Sequence, residues 1–98
     1  MQTDGFDWDE GNWPKCGKHG LTQSEIEEVF SSKPAVLPDR TPVTSETRFN
    51  AVGRTRAGRV AFVVFTLRKI ADAMLIRPIS ARYMHKKEVE TYDQEKGT

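Results

Sequence analysis

The stretch Val60–Leu67, which reads VAFVVFTL, contains the longest apolar run of this 98-residue chain, and the other predicted strands are arranged around it. Its β-branched and aromatic residues predict a strand, and its continuity favours a central strand that is covered on both faces. Thr55–Gly58 (TRAG) predicts a hairpin connection to a preceding strand over residues 48–54. A turn over residues 69–72 leads to a following strand over residues 74–79. Three consecutive antiparallel strands therefore form the middle of the sheet.

Two helices are predicted before these strands. Asn12 can cap a first helix that carries Pro14 in its first turn and ends at Gly20. Thr22 and Glu25 form a capping-box pattern, which predicts a second helix that runs to about residue 31. Short strands are predicted on either side of this pair, over residues 6–8 and 35–37.

The chain is predicted to end in a third helix. Pro78 cannot donate to a strand ladder, so the strand that contains it lies at an edge or is distorted. Ser80 is a good N-cap residue, which predicts a helix from Ala81 to about residue 95. The predicted order is β-α-α-β-β-β-β-α, an α+β fold in a single domain over residues 1–98, with its core over about residues 6–95.

Composition excludes several classes of protein. No apolar run approaches the roughly 20 residues of a membrane span, and the acidic start MQTDGFDWDE does not fit a secretory signal. The single cysteine, Cys16, cannot form an internal disulfide, which favours a reducing cytoplasm. Without a Gly-rich phosphate loop or a Cys/His cluster, we expect no metal and no cofactor.

Charge is distributed unevenly along the chain. Residues 1–46 hold nine acidic and four basic residues, whereas residues 47–98 hold eleven basic and five acidic ones. This asymmetry suggests an anionic partner for the C-terminal half, although ordinary solvated charge explains it equally well.

The most suggestive segment for a binding site is Ile76–Glu88, which reads IRPISARYMHKKE. It places Arg77 near the end of a strand and Arg82 in the first turn of the predicted helix, where two guanidiniums and free N–H groups suit a phosphate. His85 would share a helix face with Arg82. The plainer interpretation pairs Arg82 with an acidic neighbour and leaves His85 as a surface residue.

Two shorter patterns are weaker. Lys18-His19-Gly20 would close the first helix, where cations simply complement the helix dipole. Glu46-x-Arg48 enters a strand, and most such pairs are surface charges of little energetic weight.

Taken together, these pieces resemble the BrnT family of bacterial type II toxins across roughly residues 6–92. The matching features are Phe6-Asp7-Trp8, Lys18-His19-Gly20, the helix at 25–30, Glu46-x-Arg48, Gly53, Thr66-Leu67-Arg68, the block Arg77–His85, Glu88 and Tyr92.

The resemblance implies a RelE-like fold, with two N-terminal helices and one C-terminal helix packed on a curved, mainly antiparallel sheet. It implies a metal-independent endoribonuclease that inhibits translation. It also implies a hetero-oligomer with a BrnA-like ribbon-helix-helix antitoxin that blocks toxicity. That complex would repress its own operon and would reach operator DNA only through the antitoxin.

Joined to the charge argument, the resemblance suggests a mechanism in which the RNA 2′-OH attacks the adjacent phosphate. His85 or Glu46 would be the base, and Lys18 or His19 the acid or a further phosphate contact. The residues expected to bind phosphate and stabilise the transition state are Arg48, Arg68, Arg77 and Arg82, with Ser80 as a further RNA contact. The alternatives are a catalytically inactive toxin relative that acts as an antitoxin-binding co-repressor, and an RNA-binding domain that does not cleave.

Overall fold

Five strands form one mixed sheet with the order β1-β5-β4-β3-β2, in which β1 is parallel to β5 and the other neighbours are antiparallel. The computed structural model describes residues 3–39 and 47–96. Its elements are β1 (Gly5–Phe6), a 3₁₀ turn (Lys15–Gly17), α1 (Gln23–Ser31), β2 (Ala35–Pro38), β3 (Phe49–Arg54), β4 (Val60–Ile70), β5 (Ala73–Tyr83) and α2 (Lys86–Lys96). The predicted α+β class and the four predicted strands from β2 to β5 are confirmed.

The predicted central strand is confirmed, because β4 lies between β3 and β5. Alternate residues of β4 point to opposite sides of the sheet. The side that packs against α1, which we call the covered face, carries the main core, with Ile26, Val29, Ala51, Val63 and Phe65 all fully buried. The opposite side, the open face, carries Asn50, Val64, Thr66, Arg68, Arg77, Ser80 and Arg82. The open face is covered less completely than the prediction of a strand covered on both faces implies: Thr66 is buried, whereas Arg68 near the end of the strand is exposed.

Helix α1 begins as the capping-box pattern predicts. The Thr22 hydroxyl accepts from the Glu25 N–H at 3.1 Å, and the Glu25 carboxylate accepts from the Thr22 N–H at 2.9 Å. The end of the helix packs closely on β3, because a Cβ added at Gly53 would lie 2.9 Å from the Val29 carbonyl oxygen. A side chain at Gly53 would push α1 away from the sheet.

The predicted first helix is wrong. Residues 12–20 form turns with only the short 3₁₀ segment, and the Trp13–Pro14 peptide is cis. Asn12 does not cap a helix: its side-chain amide donates to the carbonyls of Asp7, at 2.9 Å, and Pro78, at 3.0 Å. A tertiary hydrogen bond to a residue far along the chain therefore replaces the expected local one.

The predicted start of the last helix is also wrong. Ser80 and Ala81 pair with Val64 and Val63 of β4, so Ser80 is not an N-cap and Arg82 lies in β5 and not in a first helical turn. Helix α2 begins after His85, whose backbone N–H donates to the Glu88 carboxylate at 2.8 Å. Pairing along β4 outweighs the local helix signal.

β5 contains a bulge that decides which side its arginines take. Phe65 pairs with Pro78 and Val64 pairs with Ser80, so Ile79 is an extra residue with no partner on β4. Strict alternation would put Arg77 and Arg82, five residues apart, on opposite faces. The extra residue brings both onto the open face. The bulge is also the strand distortion that was predicted at Pro78.

Within the two described ranges, no helix is long and apolar enough to cross a membrane.

Candidate functional site

A polar cavity of about 150 Å³ lies on the open face, where β4 and β5 meet the turns of residues 11–15. Its lining is dominated by cations and short polar groups. The lining residues are Gly11, Asn12, Lys15, Arg48, Thr66, Arg68, Arg77, Pro78 and Ile79. We call this the cationic cavity.

The sheet brings the arginines of this cavity together from three strands. Thr66 and Arg68 are alternate residues of β4, and Arg77 pairs with Thr66 across the β4–β5 ladder. Arg48 directly precedes β3 and its neighbour Phe49 pairs with Phe65, so alternation directs Arg48 to the open face beside Thr66. Three of the four arginines predicted to bind phosphate thus line one cavity, although they are up to 29 positions apart in the sequence.

Arg77 is almost fully neutralised by carboxylates of the N-terminal segment. Its guanidinium binds Asp9 with two bonds of 2.9 and 3.0 Å and Asp7 with one of 3.1 Å. These bonds to Arg77 are the main cause that lowers the pKa of Asp9, with a further contribution from the Gly11 N–H. With its side chain only 13% exposed, Arg77 fixes the cavity wall and has few donors left for a ligand.

Arg68 and Arg48 retain donors for an anion. Arg68 is 45% exposed and makes only one long contact in the described structure, 3.5 Å from Asp7. The Nε of Arg48 is buried and has no hydrogen-bond partner among the described residues. A buried guanidinium donor without a partner is costly, and a phosphate oxygen in the cavity would satisfy it.

Sequence reasoning missed three residues of the cavity. Lys15 adds a fourth cation, and Asn12 holds the turn to β5 through the Pro78 carbonyl. The Thr66 hydroxyl donates to the Thr47 carbonyl at 2.7 Å and so ties the chain just before Arg48 to β4. The alternation Thr66-x-Arg68 was a usable signal for this face, whereas nothing local marks Asn12 or Lys15.

The remaining predicted residues lie elsewhere. Arg82 binds Glu88 with two bonds of 3.0 Å, and its guanidinium lies 5.1 Å from the Phe62 ring centre. The pairing of Arg82 with an acidic neighbour, the plainer of the two sequence interpretations, is what the structure has. Ser80 is exposed on the open face, between the cationic cavity and Arg82.

The Lys18-His19 pair and His85 are exposed and lie outside the cationic cavity. Gly20, which follows His19, lies beside the ring of Tyr83 at the end of β5, and His85 follows that same end. Glu46 lies outside the described residues.

The donor chemistry of the described residues offers no metal site: no group of three or more His, Cys, Asp or Glu side chains is placed to hold an ion. The cationic cavity instead suits an anion, since two carboxylates offset only part of the charge of its four cations.

Comparison with known proteins agrees with this chemistry. No curated protein matches the chain significantly. Residues 8–88, most of the chain, match the family described as the ribonuclease toxin BrnT of type II toxin–antitoxin systems. That span includes the cationic cavity, the bulge at Ile79 and the Arg82–Glu88 pair. The chain therefore belongs to the BrnT family of type II toxin–antitoxin ribonuclease toxins.

Proposed function

We propose that this toxin is an endoribonuclease that cleaves RNA at the cationic cavity, by attack of a 2′-OH on the adjacent phosphodiester, and so inhibits translation. The observation that carries the proposal is the unpartnered Nε of Arg48 beside half-exposed Arg68 in a cavity lined by cations. Such donors, fixed before the substrate arrives, stabilise the charge that grows on a phosphorane.

The proposed reaction uses no metal ion. The 2′-oxygen forms a bond to phosphorus, the bond from phosphorus to the 5′-oxygen breaks, and a proton moves from the 2′-OH through a base and an acid to the leaving oxygen. Arg48, Arg68 and Lys15 would bind the phosphate, and Arg77 would position the cavity wall through Asp7 and Asp9. Four cations repel a divalent metal, which supports the metal-independent route.

Glu46 is the acidic residue nearest in sequence to Arg48, and it is our candidate base. His85 stays the alternative base, and Lys18 and His19 stay candidates for the acid or for a further phosphate contact. All three lie near the Tyr83 end of β5, outside the cationic cavity, so a role as acid or base would need the RNA to reach from the cavity to that end.

The wider assembly is proposed from the family. A type II system supplies a protein antitoxin, which we propose is a BrnA-like ribbon-helix-helix protein that covers the open face. The complex would bind operator DNA through the antitoxin and repress its own operon. We also propose that residues 1–98 act as one RelE-like domain in the cytoplasm.

One observation favours a second candidate, an RNA-binding or co-repressor module that does not cleave. Within the described residues, every carboxylate of the cavity region is held by arginine, and no imidazole lines the cavity. If Glu46 does not supply the base, the cavity binds phosphate without activating the 2′-OH.

Cleavage of a short RNA by the purified chain in EDTA tests the proposal. We expect products that end in a 2′,3′-cyclic phosphate and a 5′-hydroxyl, and a loss of about 100-fold or more in the single-turnover rate for Arg48→Ala and for Arg68→Ala. The matched control is Arg56→Ala, which removes an exposed arginine from the β3–β4 turn. Folded wild-type protein that binds RNA but leaves it intact would support the second candidate. Equal rates for all three variants would place the site elsewhere.

A further inference from the structure

A second pair of arginines lies on the open face, beneath helix α2. Arg82 of β5 and Arg54 at the end of β3 are each bound by a carboxylate of α2. Both carboxylate oxygens of Glu88 accept hydrogen bonds from Arg82, and the Asp93 carboxylate accepts one from Arg54. Arg54 also donates to the Gly58 carbonyl at 2.8 Å, which fixes its guanidinium above the turn. The helix thus places one carboxylate on each of two arginines that lie on opposite sides of β4.

These carboxylates have the geometry of a stand-in for phosphate. Arginine binds carboxylate and phosphate through the same planar pair of N–H donors. Both arginines are about 40% exposed even with α2 in place, so a ligand can reach them from solvent. Phe62, below the Arg82 guanidinium, adds an aromatic surface of the kind that nucleobases stack on.

Helix α2 is held to the sheet by few apolar contacts. Between Lys86 and Gln94, Tyr92 is the one buried residue, and Glu88 and Val89 are the half-buried ones. The two ion pairs are partly exposed, and such pairs contribute little to stability. Displacement of α2 therefore costs little compared with undocking α1, whose residues fill the core.

The open face connects these arginines to the cationic cavity. Arg77 pairs with Thr66 and Arg82 pairs with Phe62, four positions back along β4, which puts the two arginines about 13 Å apart at the rise of a strand. Exposed Ser80 lies between them on β5. Asn50, whose buried Oδ1 has no partner among the described residues, lies level with Ser80 on the other side of β4. A single RNA strand can follow this path.

Building on the proposed ribonuclease function, we propose that Arg54 and Arg82 form a second RNA phosphate site, which α2 closes in the free protein and which RNA opens by displacing Glu88 and Asp93. Helix α2 is then an internal competitor of the substrate. Arg82 assists cleavage by holding the strand, not by contact with the scissile phosphate.

The test compares two double variants of the full chain with equal change in charge. Glu88→Gln with Asp93→Asn removes the competing carboxylates, whereas Glu90→Gln with Asp72→Asn removes two exposed ones that hold neither arginine. Binding is measured by fluorescence anisotropy with a 2′-O-methyl oligonucleotide, which cannot be cleaved. We expect the first variant to bind about 5- to 10-fold more tightly than the second. Adding Arg54→Ala and Arg82→Ala should abolish the gain and reduce the salt dependence by roughly 0.7 in slope for each lost contact.

Hydrogen exchange of the wild-type chain gives a readout that needs no variant. RNA should increase amide exchange over residues 86–94 while α1 stays protected. Equal affinity of the two double variants, or an α2 that RNA protects, would overturn the second site even if wild type cleaves RNA. Tighter binding by a chain that never cleaves would support the second site and reject the ribonuclease proposal. A wild type that binds no RNA would reject both.

Discussion

The covered face and the open face are built by alternate residues of the same three strands. On β4, Val63 and Phe65 point to α1 and are fully buried, while their neighbours Val64 and Thr66 point to the open face. The covered face holds the fold through apolar packing. The open face holds arginines that bind carboxylates and, in Arg48, a buried Nε that has no partner among the described residues. Stability and RNA chemistry should therefore be separable by substitutions one residue apart.

Phe65→Ala should have the largest effect on stability. The ring packs at 5.0 Å from Phe30 and 5.5 Å from Phe49 and is fully buried, so truncation should lower the free energy of unfolding by about 3–5 kcal/mol. Urea unfolding followed by tryptophan fluorescence measures it. Arg68→Ala, on the other face of the same strand, should change stability by less than about 0.5 kcal/mol. Similar losses of stability in both variants would contradict the claim that only the covered face stabilises the fold.

Arg77→Met tests whether a residue of the open face also stabilises the fold. Its loss leaves Asp7 and Asp9 without their main partner, and we expect the free energy of unfolding to fall by about 2 kcal/mol. Arg56→Met, which removes an exposed cation, is the control. A stability equal to that of the control would show that Arg77 is free to serve a ligand and does not hold the N-terminal segment.

Acid should release α2 before it unfolds the covered face. The bonds from Arg82 hold the pKa of Glu88 at about 2, helped by the His85 N–H. Because the pKa is depressed from its ordinary value of 4.5, the contribution to docking is fully present above 4.5 and is lost as the pH falls toward 2. Backbone chemical shifts of residues 86–94 should follow that window. In Glu88→Gln they should not, and shifts equal in both proteins would contradict the docking role.

Local signals predicted much of the fold correctly. The capping box of α1 and the continuous apolar run Val60–Leu67 each depend on residues close together in the sequence. Both elements can therefore be predicted from local patterns. The prediction of the first helix is wrong because the Asn12 amide donates to the Pro78 carbonyl of β5. The last helix was predicted to begin too early because Ser80 pairs with Val64 of β4. Both errors come from contacts between residues far apart in sequence, which no local pattern encodes.

The site was predictable only in part, because its contacts also join residues far apart in the sequence. Arg48, Arg68 and Arg77 were chosen by charge and resemblance, and the sheet gathers them into one cavity. The pairing of Arg77 with Asp9 and of Lys15 with this cavity depends on how the N-terminal turns meet the sheet. The prediction that Arg77 and Arg82 bind one phosphate at a helix N-terminus fails because the helix begins only after His85.

The unpaired residue Ile79 sets the spacing at which Arg77 and Arg82 share a face of the sheet. Loss of its codon would close the bulge and leave the two arginines four residues apart, so plain alternation would keep both on the open face. Loss of the codons for both Ile79 and Ser80 would leave them three residues apart and send Arg82 toward the core. A toxin gene of this kind should therefore tolerate a deletion of three nucleotides here, but would lose one arginine of the open face through a deletion of six that causes no frameshift and leaves every arginine encoded.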